Sequence, residues 1–391
     1  MEKVRFGIVG VGNMGSSHAK NLLAGKVENG VLAAVCDLKQ SKLDAVKAIE
    51  GSENVATFTD YTEMINSGLI DVVLIAVPHY FHPPFAIQAF EAGLNVISEK
   101  PAGVYTKQVE EMNAAADKSG KIFGMMFNCR THHNYRLMRE MIQNGELGDI
   151  KRVNWIITNW YRSQDYYDSG DWRATWKGEG GGVLFNQCPH QIDLLQWIVG
   201  MMPTKVHAHV HFGKWHDIEV EDDVTAYMEF PNGATGVFVT TTADAPGTNR
   251  FEITGTKGRL VINGWDDLKF DKLEMDEREF CKTATGFGAP KFETLELTGD
   301  GKSEQHVGIM NNVANAILGI EPLFVEGKEG IKGVEIMDAM MLSGWLGKEV
   351  TLPIDGDLYL AELNKRIATG RVKEAVEDRV LDTQNTYGGA K

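Results

Sequence analysis

The sequence predicts an α/β protein with an N-terminal doubly wound parallel sheet and a C-terminal α+β domain built on a large, open, mostly antiparallel sheet. In residues 1–126, short apolar runs alternate with amphipathic stretches, which is the pattern of parallel strands joined by helices. After residue 126, strand-like runs are separated by turn signals such as Asn232-Gly233, which favour hairpins. Because 391 residues suffice for about two domains, we expect one domain over residues 1–126 and a second over 127–391.

The individual elements follow from composition and period. In the first part, apolar runs with β-branched residues predict buried strands at 4–9, 31–36, 72–77, 95–98 and 122–126. The stretches between them predict helices at 16–24, 42–49, 61–66, 84–92 and 107–118. In the second part we predict helices at 135–144, 307–318 and 331–346, and strands at 153–160, 224–230, 236–242, 251–254 and 259–262. The Gly- and Thr-rich stretch 282–305 is predicted to be a surface excursion, and the tail ending TYGGAK to be disordered.

Composition limits the classes of function. A net charge of −15 argues against nucleic acid as a partner, because binding phosphates needs a clustered positive field. The chain contains no block of Lys and Arg that would favour a membrane surface, and its opening apolar run is too short to span a bilayer. The four cysteines are scattered without a CxxC pair, which favours reduced thiols and gives no sign of a zinc site. We therefore expect a cytoplasmic protein.

A glycine motif at the start of the chain predicts a nucleotide site. Gly10, Gly12 and Gly15 form G-x-G-x-x-G between the first predicted strand and the first predicted helix. The glycines allow a tight turn, a close approach of a pyrophosphate and close helix packing, which is the Rossmann fingerprint. Asp37 ends the second strand, where a carboxylate accepts hydrogen bonds from ribose hydroxyls and repels a 2′-phosphate. The pattern favours NAD, while the nearby Lys39 leaves NADP open as a second cofactor.

Two later strands end beside candidate site residues. Pro78-His79 follows the predicted strand at 72–77, and Glu99-Lys100-Pro101 follows the one at 95–98. A lysine at the end of a buried strand, as at Glu99-Lys100-Pro101, is unusual because burial disfavours its charge. Burial and a positive nicotinamide would both lower the pKa of Lys100, which makes it a candidate proton acceptor from a substrate hydroxyl. By its position alone, Lys100 is more simply interpreted as a lysine that pairs with Glu99 at a domain edge. Ligands lie at this edge of an open sheet, and the expected cofactor contacts are Gly10, Gly12, Asn13, Met14, Gly15, Asp37, Val77, Pro78, His79, His82, Glu99 and Lys100.

The segment GEGGGVLFNQCPHQID, residues 178–193, carries a second polar group. Asn186, His190 and Asp193 are spaced i, i+4, i+7, and we predict that the helix starts at Pro189 with Asn186 in the preceding turn. His190 is the candidate acid/base, with Asp193 or Asn186 orienting it or binding substrate hydroxyls.

An aromatic segment, residues 155–176, lies between these motifs. Rings with interspersed arginines suit a carbohydrate, whose C–H faces stack on rings while its hydroxyls need polar partners. An aromatic subunit interface is the alternative. Combined with the motifs above, the expected substrate contacts are Lys100, Tyr161, Arg162, Trp172, Arg173, Asn186, His190 and Asp193.

The remaining histidines do not predict a metal site. His207, His209 and His211 alternate along a strand and are read as an exposed or intersubunit sheet face. His132 and His133 are expected to point in different directions, and His18 to be a packing residue near the cofactor loop. We predict no bound metal.

The chain resembles the Gfo/Idh/MocA family of oxidoreductases over nearly its whole length. The motifs that carry this resemblance are GIVGVGNMG, Asp37, AVPHYFH, SEKP and GGG…H..D. The resemblance implies a Rossmann domain, a C-terminal sheet that mediates oligomers, Lys100 as the catalytic lysine and His190 as the acid/base. Family members often have Asp at the position of Asn186 and Asn at that of His79, which puts inositol itself in doubt. The sequence motif WYR…YYDSG.WR.TW is most similar to that of a subgroup that oxidises glycosides at the sugar 3-hydroxyl.

The expected function is reversible hydride transfer between nicotinamide and a secondary hydroxyl of a sugar, glycoside or cyclitol. One alternative is a glycosidase that uses NAD transiently, through oxidation, elimination and reversal. Another is a non-catalytic sensor of a sugar or of NAD. The expected assembly is a homo-oligomer, either a dimer or a tetramer, with neither nucleic acid nor membrane as a partner.

Overall fold

The computed structural model of the chain describes residues 3–371 and residue 373. Its strands are β1 Val4–Val9, β2 Gly30–Cys36, β3 Ala56–Phe58, β4 Val72–Ile75, β5 Asn95–Ser98, β6 Phe123–Met125, β7 Ile150–Ile157, β8 Lys205–Phe212, β9 Glu221–Glu229, β10 Thr235–Thr241, β11 Asn249–Gly255, β12 Gly258–Asn263, β13 Asp267–Leu273, β14 Phe292–Leu297 and β15 Val350–Thr351. Its α-helices are α1 Asn13–Leu23, α2 Gln40–Lys47, α3 Tyr61–Ile65, α4 His82–Glu91, α5 Thr106–Ser119, α6 His133–Gln143, α7 Gln164–Tyr167, α8 Pro189–Val199, α9 Glu277–Thr283, α10 Gln305–Ile317, α11 Gly330–Leu346 and α12 Gly356–Thr369.

The first sheet is a doubly wound parallel sheet in the order β3-β2-β1-β4-β5-β6. This is the strand order of a Rossmann fold, whose direction of winding reverses beside β1. Strands β1, β4 and β5 are buried along almost their whole length because helices cover both faces, which explains their continuous apolar sequences. The carboxyl ends of these strands therefore meet at one edge, where ligands bind in open α/β sheets.

The second sheet has the order β14-β13-β12-β11-β7-β10-β9-β8-β15 among the described residues. All its neighbours pair antiparallel except β7 and β10, so the prediction of a mostly antiparallel sheet is confirmed. One face packs on helix α11, which in turn packs on the buried helix α8, and the other face carries exposed side chains. His207, His209 and His211 lie on the exposed face and alternate with Val206 and Ala208 underneath.

Helices from the end of the described chain return to the first sheet. Helix α10 packs on α1 and β2, and α11 packs on α5. An antiparallel bridge joins Gly124 in β6 to Glu326. The two sheets are consequently joined by packed helices as well as by the chain between β6 and β7.

The structure corrects one predicted segment. The stretch 282–305 is not only a surface excursion, since β14 within it pairs with β13 at the edge of the second sheet. Its sequence FETLEL alternates, and Leu295 and Leu297 pack against the core while the glutamates stay in water. The tail ending TYGGAK lies outside the described residues.

Candidate active site

The glycine loop between β1 and α1 has the shape that a dinucleotide needs. Gly10 has φ +83°, and a Cβ there would lie 2.4 Å from the carbonyl oxygen of Ala76. A Cβ at Gly15 would lie 1.9 Å from the carbonyl oxygen of Gly10, so only glycine lets α1 approach the strand this closely. A Cβ at Gly12 would instead meet open space on the side where a pyrophosphate would lie.

The start of α1 and the end of β2 complete this cradle. Within residues 3–371, no side chain caps the first turn of α1, so its backbone N–H groups and positive dipole end are available to an anion. Asp37 follows β2, and its carboxylate accepts hydrogen bonds from the backbone N–H of Val11 at 3.0 Å and of Lys39 at 3.0 Å. These residues fit a dinucleotide, with the pyrophosphate on the glycine loop and the adenosine ribose at Asp37.

A cavity of about 500 Å³ extends from this cradle to residues of the segment 169–186. Of the residues predicted from the sequence, those that line it are Gly10, Gly12, Asn13, Met14, Asp37, Val77, Pro78, His79, His82, Glu99, Lys100, Trp172, Arg173 and Asn186. Gly15 lies behind the loop, and Tyr161, Arg162, His190 and Asp193 are not among the residues lining the cavity. The structure thus brings the end of β5 and the aromatic segment to the same space.

Lys100 follows β5 and lies in this cavity. Its Nζ donates to the backbone carbonyl oxygen of Asn186 at 2.9 Å, and only its backbone N–H contacts the Glu99 carboxylate, at 3.2 Å. Burial lowers the pKa of Lys100, although the negative charges of Glu99 and Glu179 oppose that shift. The ammonium is therefore held by the backbone carbonyl of Asn186. The interpretation from position alone, a Lys100 side chain paired with Glu99, did not predict this contact.

Glu99 is instead paired with His18. The His18 ring lies on α1 and is fully buried, and its Nε2 lies 2.7 Å from Glu99 Oε1. Burial would raise the pKa of Glu99, but the hydrogen bond from His18 and the charges of His18, His306 and Lys100 lower it to about 2. His18 is thus more than a packing residue, because it links the cofactor helix to the residue before Lys100.

His190 occupies the first turn of α8, which starts at Pro189 as predicted. The side chain is 8% exposed, and its Nδ1 has no hydrogen-bond partner within the described part of the chain. Burial lowers the pKa of His190 well below its usual range, and the positive charges of Lys100 and His306 lower it further. The ring is therefore neutral near pH 7.

Asn186 and Glu179 form a pair that the sequence reading missed. Asn186 lies in the turn before α8 and donates through Nδ2 to Glu179 Oε1, so it does not orient His190 as one reading had it. Glu179 Oε2 accepts from the backbone N–H of Ala174 at 2.5 Å. Ala174 has φ +53°, a conformation that is strained for a residue with a Cβ. Glu179 thus fixes both the residue whose carbonyl holds Lys100 and the loop next to it.

Asp193 does not orient His190 either. Its carboxylate accepts from Arg130 Nε at 2.8 Å and from Arg130 Nη2 at 2.6 Å, and both side chains are at most 1% exposed. Arg130 also pairs with Glu329, which lies just before α11. A carboxylate held by a buried guanidinium in this way is a structural ion pair, which corrects the prediction of a substrate contact.

The aromatic segment divides into an inner and an outer part. Arg173 lies over the ring of Trp172 at 4.6 Å and over that of Tyr166 at 4.7 Å, and it donates to the Tyr166 hydroxyl at 3.0 Å. Trp172 and Arg173 line the cavity, which suits a ligand with an apolar face and several hydroxyls. Tyr161 is 52% exposed and lies farther out with Arg162, whose side chain donates to the Tyr161 carbonyl.

Two histidines near the cavity, His306 and His82, make contacts that the sequence did not predict. His306, in the first turn of α10, contacts His18 edge-on with ring centroids 5.4 Å apart. His82 lies between the loops after β4 and β5, with one ring nitrogen 2.7 Å from the carbonyl of Val77 and the other 2.7 Å from that of Pro101, and its single N–H in the neutral form donates to one of the two. His306 is 206 positions from Lys100 in the sequence, and only the packing of α10 on α1 brings it close.

Comparison with known proteins agrees with this geometry. Residues 4–127 match the oxidoreductase family with an NAD-binding Rossmann fold, and residues 135–261 match the Gfo/Idh/MocA C-terminal domain. The myo-inositol 2-dehydrogenase of Thermotoga maritima is 26% identical over 66% of this chain and 75% of its own length. The D-glucoside 3-dehydrogenase of Escherichia coli is 30% identical over 52% of this chain and 60% of its own length.

Among solved structures, the WlbA dehydrogenase of Chromobacterium violaceum in complex with NADH and UDP-GlcNAcA superimposes with a TM-score of 0.77. It is 29% identical, and the match covers 91% of this chain and 97% of that one. With the glycine loop, the two sheets and both family models in agreement, the chain belongs to the Gfo/Idh/MocA family of NAD-binding oxidoreductases.

Proposed function

We propose that the protein is an NAD-dependent dehydrogenase that transfers a hydride between nicotinamide and a secondary hydroxyl of a sugar, glycoside or cyclitol. The observation that carries this proposal is the position of Lys100. Its half-buried side chain lines a cavity that has the cofactor loop on one side and Trp172 and Arg173 on the other. A cavity of this kind can hold a dinucleotide and a polyhydroxylated ligand side by side.

In this proposal the bound NAD supplies the hydride acceptor, and the side chains manage the proton. Oxidation of a secondary alcohol removes a hydride from carbon and a proton from oxygen. Lys100 takes the proton, because burial lowers its pKa and makes the neutral amine accessible. We assign His190 to hydrogen-bond the same hydroxyl or receive the proton, because its ring is neutral near pH 7 and lies close enough to Lys100 for that charge to lower its pKa. Reduction runs these transfers in reverse.

The aromatic segment supports a carbohydrate as the substrate. We assign the sugar's apolar face to Trp172 and its hydroxyls to Arg173 and Asn186, with Tyr161 and Arg162 contacting a more distant part such as an aglycone. The 3-hydroxyl is the favoured position of attack. This assignment is supported by the resemblance of the E. coli relative, which is named for that reaction.

The proposal also covers cofactor choice, assembly and location. Asp37 favours NAD, and Lys39 and Lys42 line the same end of the cavity, where a 2′-phosphate of NADP would lie.

The exposed face of the second sheet supports a homo-oligomer, and four free cysteines support a reducing compartment such as the cytoplasm. We retain the division into residues 1–126 and 127–391. No helix in residues 3–371 is long and apolar enough to cross a membrane.

Replacing Lys100 tests the proposal directly. We expect Lys100→Met to abolish turnover of any sugar that the native enzyme oxidises, while NADH binding, measured by fluorescence, stays within a few-fold. Lys100→Arg is the matched variant, because it keeps a positive charge that does not deprotonate near neutral pH, and it should be equally inactive. Retained turnover in either variant contradicts Lys100 as the proton acceptor.

A further inference from the structure

The structure brings together the side chains of His132, His133 and Asp266, which are residue types that bind metal ions. The Nε2 atoms of His132 and His133 lie 3.7 Å and 3.8 Å from Asp266 Oδ1, and the candidate ligand atoms all lie within 4.8 Å of one another. We propose that His132, His133 and Asp266, the His–His–Asp cluster, form a binding site for a divalent transition metal ion such as Zn²⁺. This site is separate from the proposed dehydrogenase chemistry and does not depend on it.

The arrangement differs from the expectation that the two histidines point apart. That expectation assumed an extended chain, whereas His132 caps α6 and His133 is its first residue. The two rings therefore stack, with centroids 4.7 Å apart and planes inclined by 21°. Their Nε2 atoms both face the turn between β12 and β13, where Asp266 lies.

The cluster is held on one side and adjustable on the other. The His132 ring packs against Tyr135 and Trp265, with centroids 5.3 Å and 5.5 Å away, so its position is fixed by large side chains. The Asp266 side chain is 81% exposed and can move toward an ion without disturbing the core. In a tetrahedral zinc site, bonds of about 2.0–2.2 Å place ligand atoms roughly 3.3–3.5 Å apart. The two histidine-to-carboxylate distances need to shorten by only a few tenths of an ångström, and the His133 ring must turn out of its stack on His132 so that one ion lies in the planes of both rings.

The charge next to the cluster is partly offset. Metal binding requires neutral imidazoles, so a nearby cation would oppose it. Arg136 lies beside the histidines, and it donates to Asp300 at 2.8 Å, which partly offsets its positive charge.

Coordination has one cost that limits the affinity. The backbone N–H of Asn134 donates to His132 Nδ1 at 3.4 Å, and binding a metal through Nε2 places the proton on Nδ1 and removes that long bond. His133 Nδ1 has no partner within the described residues, so its proton displaces nothing. Three protein ligands also leave a fourth position for water. We therefore expect a moderate-affinity site that prefers Zn²⁺, Co²⁺ or Ni²⁺, since imidazole ligands disfavour Mg²⁺ and Ca²⁺.

The test is calorimetric titration of the chelator-stripped full chain with ZnCl₂. Two other exposed groups, Cys281 and the His207–His209 stripe, could also hold zinc. The reference protein should therefore carry Cys281→Ser and His207→Gln. In this reference we expect one zinc per chain, and Mg²⁺ titrated in place of Zn²⁺ should not bind.

Two variants made in that reference locate the ion. Asp266→Asn changes an exposed side chain and should leave the fold intact, while His133→Gln removes one imidazole. Each should weaken zinc binding by at least about 10-fold. Absence of zinc binding in the reference, or binding that neither variant weakens, overturns the proposal.

Discussion

The charge state of Lys100 is controlled by carboxylates on both sides of the cavity. Burial lowers the pKa of Lys100, and Glu179 and Glu99 oppose this with their negative charges. Glu179 accepts N–H hydrogen bonds at both oxygens, so we take it as a carboxylate near neutral pH even though burial raises its pKa. Glu179 is therefore expected to position the site and also to set the pH range of Lys100.

Glu179→Gln tests that second role. Removing the negative charge lowers the pKa of Lys100 further, so the neutral amine is present at lower pH. The acid limb of kcat/KM for alcohol oxidation should then move to lower pH, by about one unit for a nearby charge. The measurement is the pH profile of both proteins with one oxidised sugar.

Glu221→Gln is the matched control. Burial raises the pKa of Glu221 to about 8, so this carboxyl is neutral below that pH and its replacement removes no charge there. The profile of Glu221→Gln should keep its position. A Glu179→Gln profile that loses height without moving would mean that Glu179 only holds the loop.

Asp37 governs the ribose end of the cofactor site. We expect Asp37→Ala to weaken NADH binding by about 10-fold or more, because a hydrogen bond to a charged group contributes about 1.5–3 kcal/mol. NADPH should gain relative to NADH, since the charge that repels its 2′-phosphate is gone. Fluorescence titration with both cofactors measures this.

Asp37→Asn separates two effects of that change. It keeps an acceptor for the backbone N–H of Val11 but removes the charge. If both variants leave the preference between NADH and NADPH unchanged, the residue that reads the ribose lies elsewhere.

Among the elements, those with a strong apolar signal were predictable from the sequence. The strands predicted at 4–9 and 95–98 have the observed bounds because both are buried on two faces and end at residues that turn. The start of α8 was also predicted, from Pro189. Strands β3 and β13 were missed, since one has three residues and the other, DLKFDKL, alternates charged with apolar residues near a sheet edge.

The candidate site was predictable where one local motif carries the chemistry. The glycine loop, Asp37 and Lys100 follow from short patterns at strand ends. The partners of these residues are set by long-range packing: Asp193 meets Arg130, and Lys100 meets the carbonyl of Asn186. No spacing along the chain encodes such contacts.

The ion pair of Arg130 and Asp193 joins three elements, namely the turn before α6, helix α8 and the start of α11. Asp193→Asn leaves the buried guanidinium short of a charge partner, which costs about 3–5 kcal/mol when one member of a buried pair is removed. We expect that loss in the free energy of unfolding, measured with urea, and little change in KM for the protein that remains folded.

A double replacement sharpens this prediction. Arg130→Met with Asp193→Leu removes both charges and should recover much of the lost stability, because apolar pairs often substitute for buried ion pairs. A raised KM with unchanged stability in Asp193→Asn would restore the reading of Asp193 as a substrate ligand.

At the scale of the whole molecule, helices from late in the chain pack on the part that forms the cavity. Helices α10 and α11 pack back on the first sheet, which brings His306 beside His18 and holds the second sheet next to the cofactor loop. The exposed face of the second sheet, with its three histidines, lies on the side away from α8 and α11. We expect a dimer or tetramer through this face, which light scattering after size exclusion measures directly. A monomer contradicts that expectation.

The most direct test of the central claim is one assay of the purified protein with NAD and a panel of free sugars, cyclitols and glycosides. Absorbance of NADH and the mass spectrum of the products are followed together. The account predicts NADH formation with a keto-sugar two mass units lighter than its substrate. Released aglycone without net NADH would contradict it in favour of a glycosidase that uses NAD transiently, and NAD binding without any product across the panel would favour a sensor.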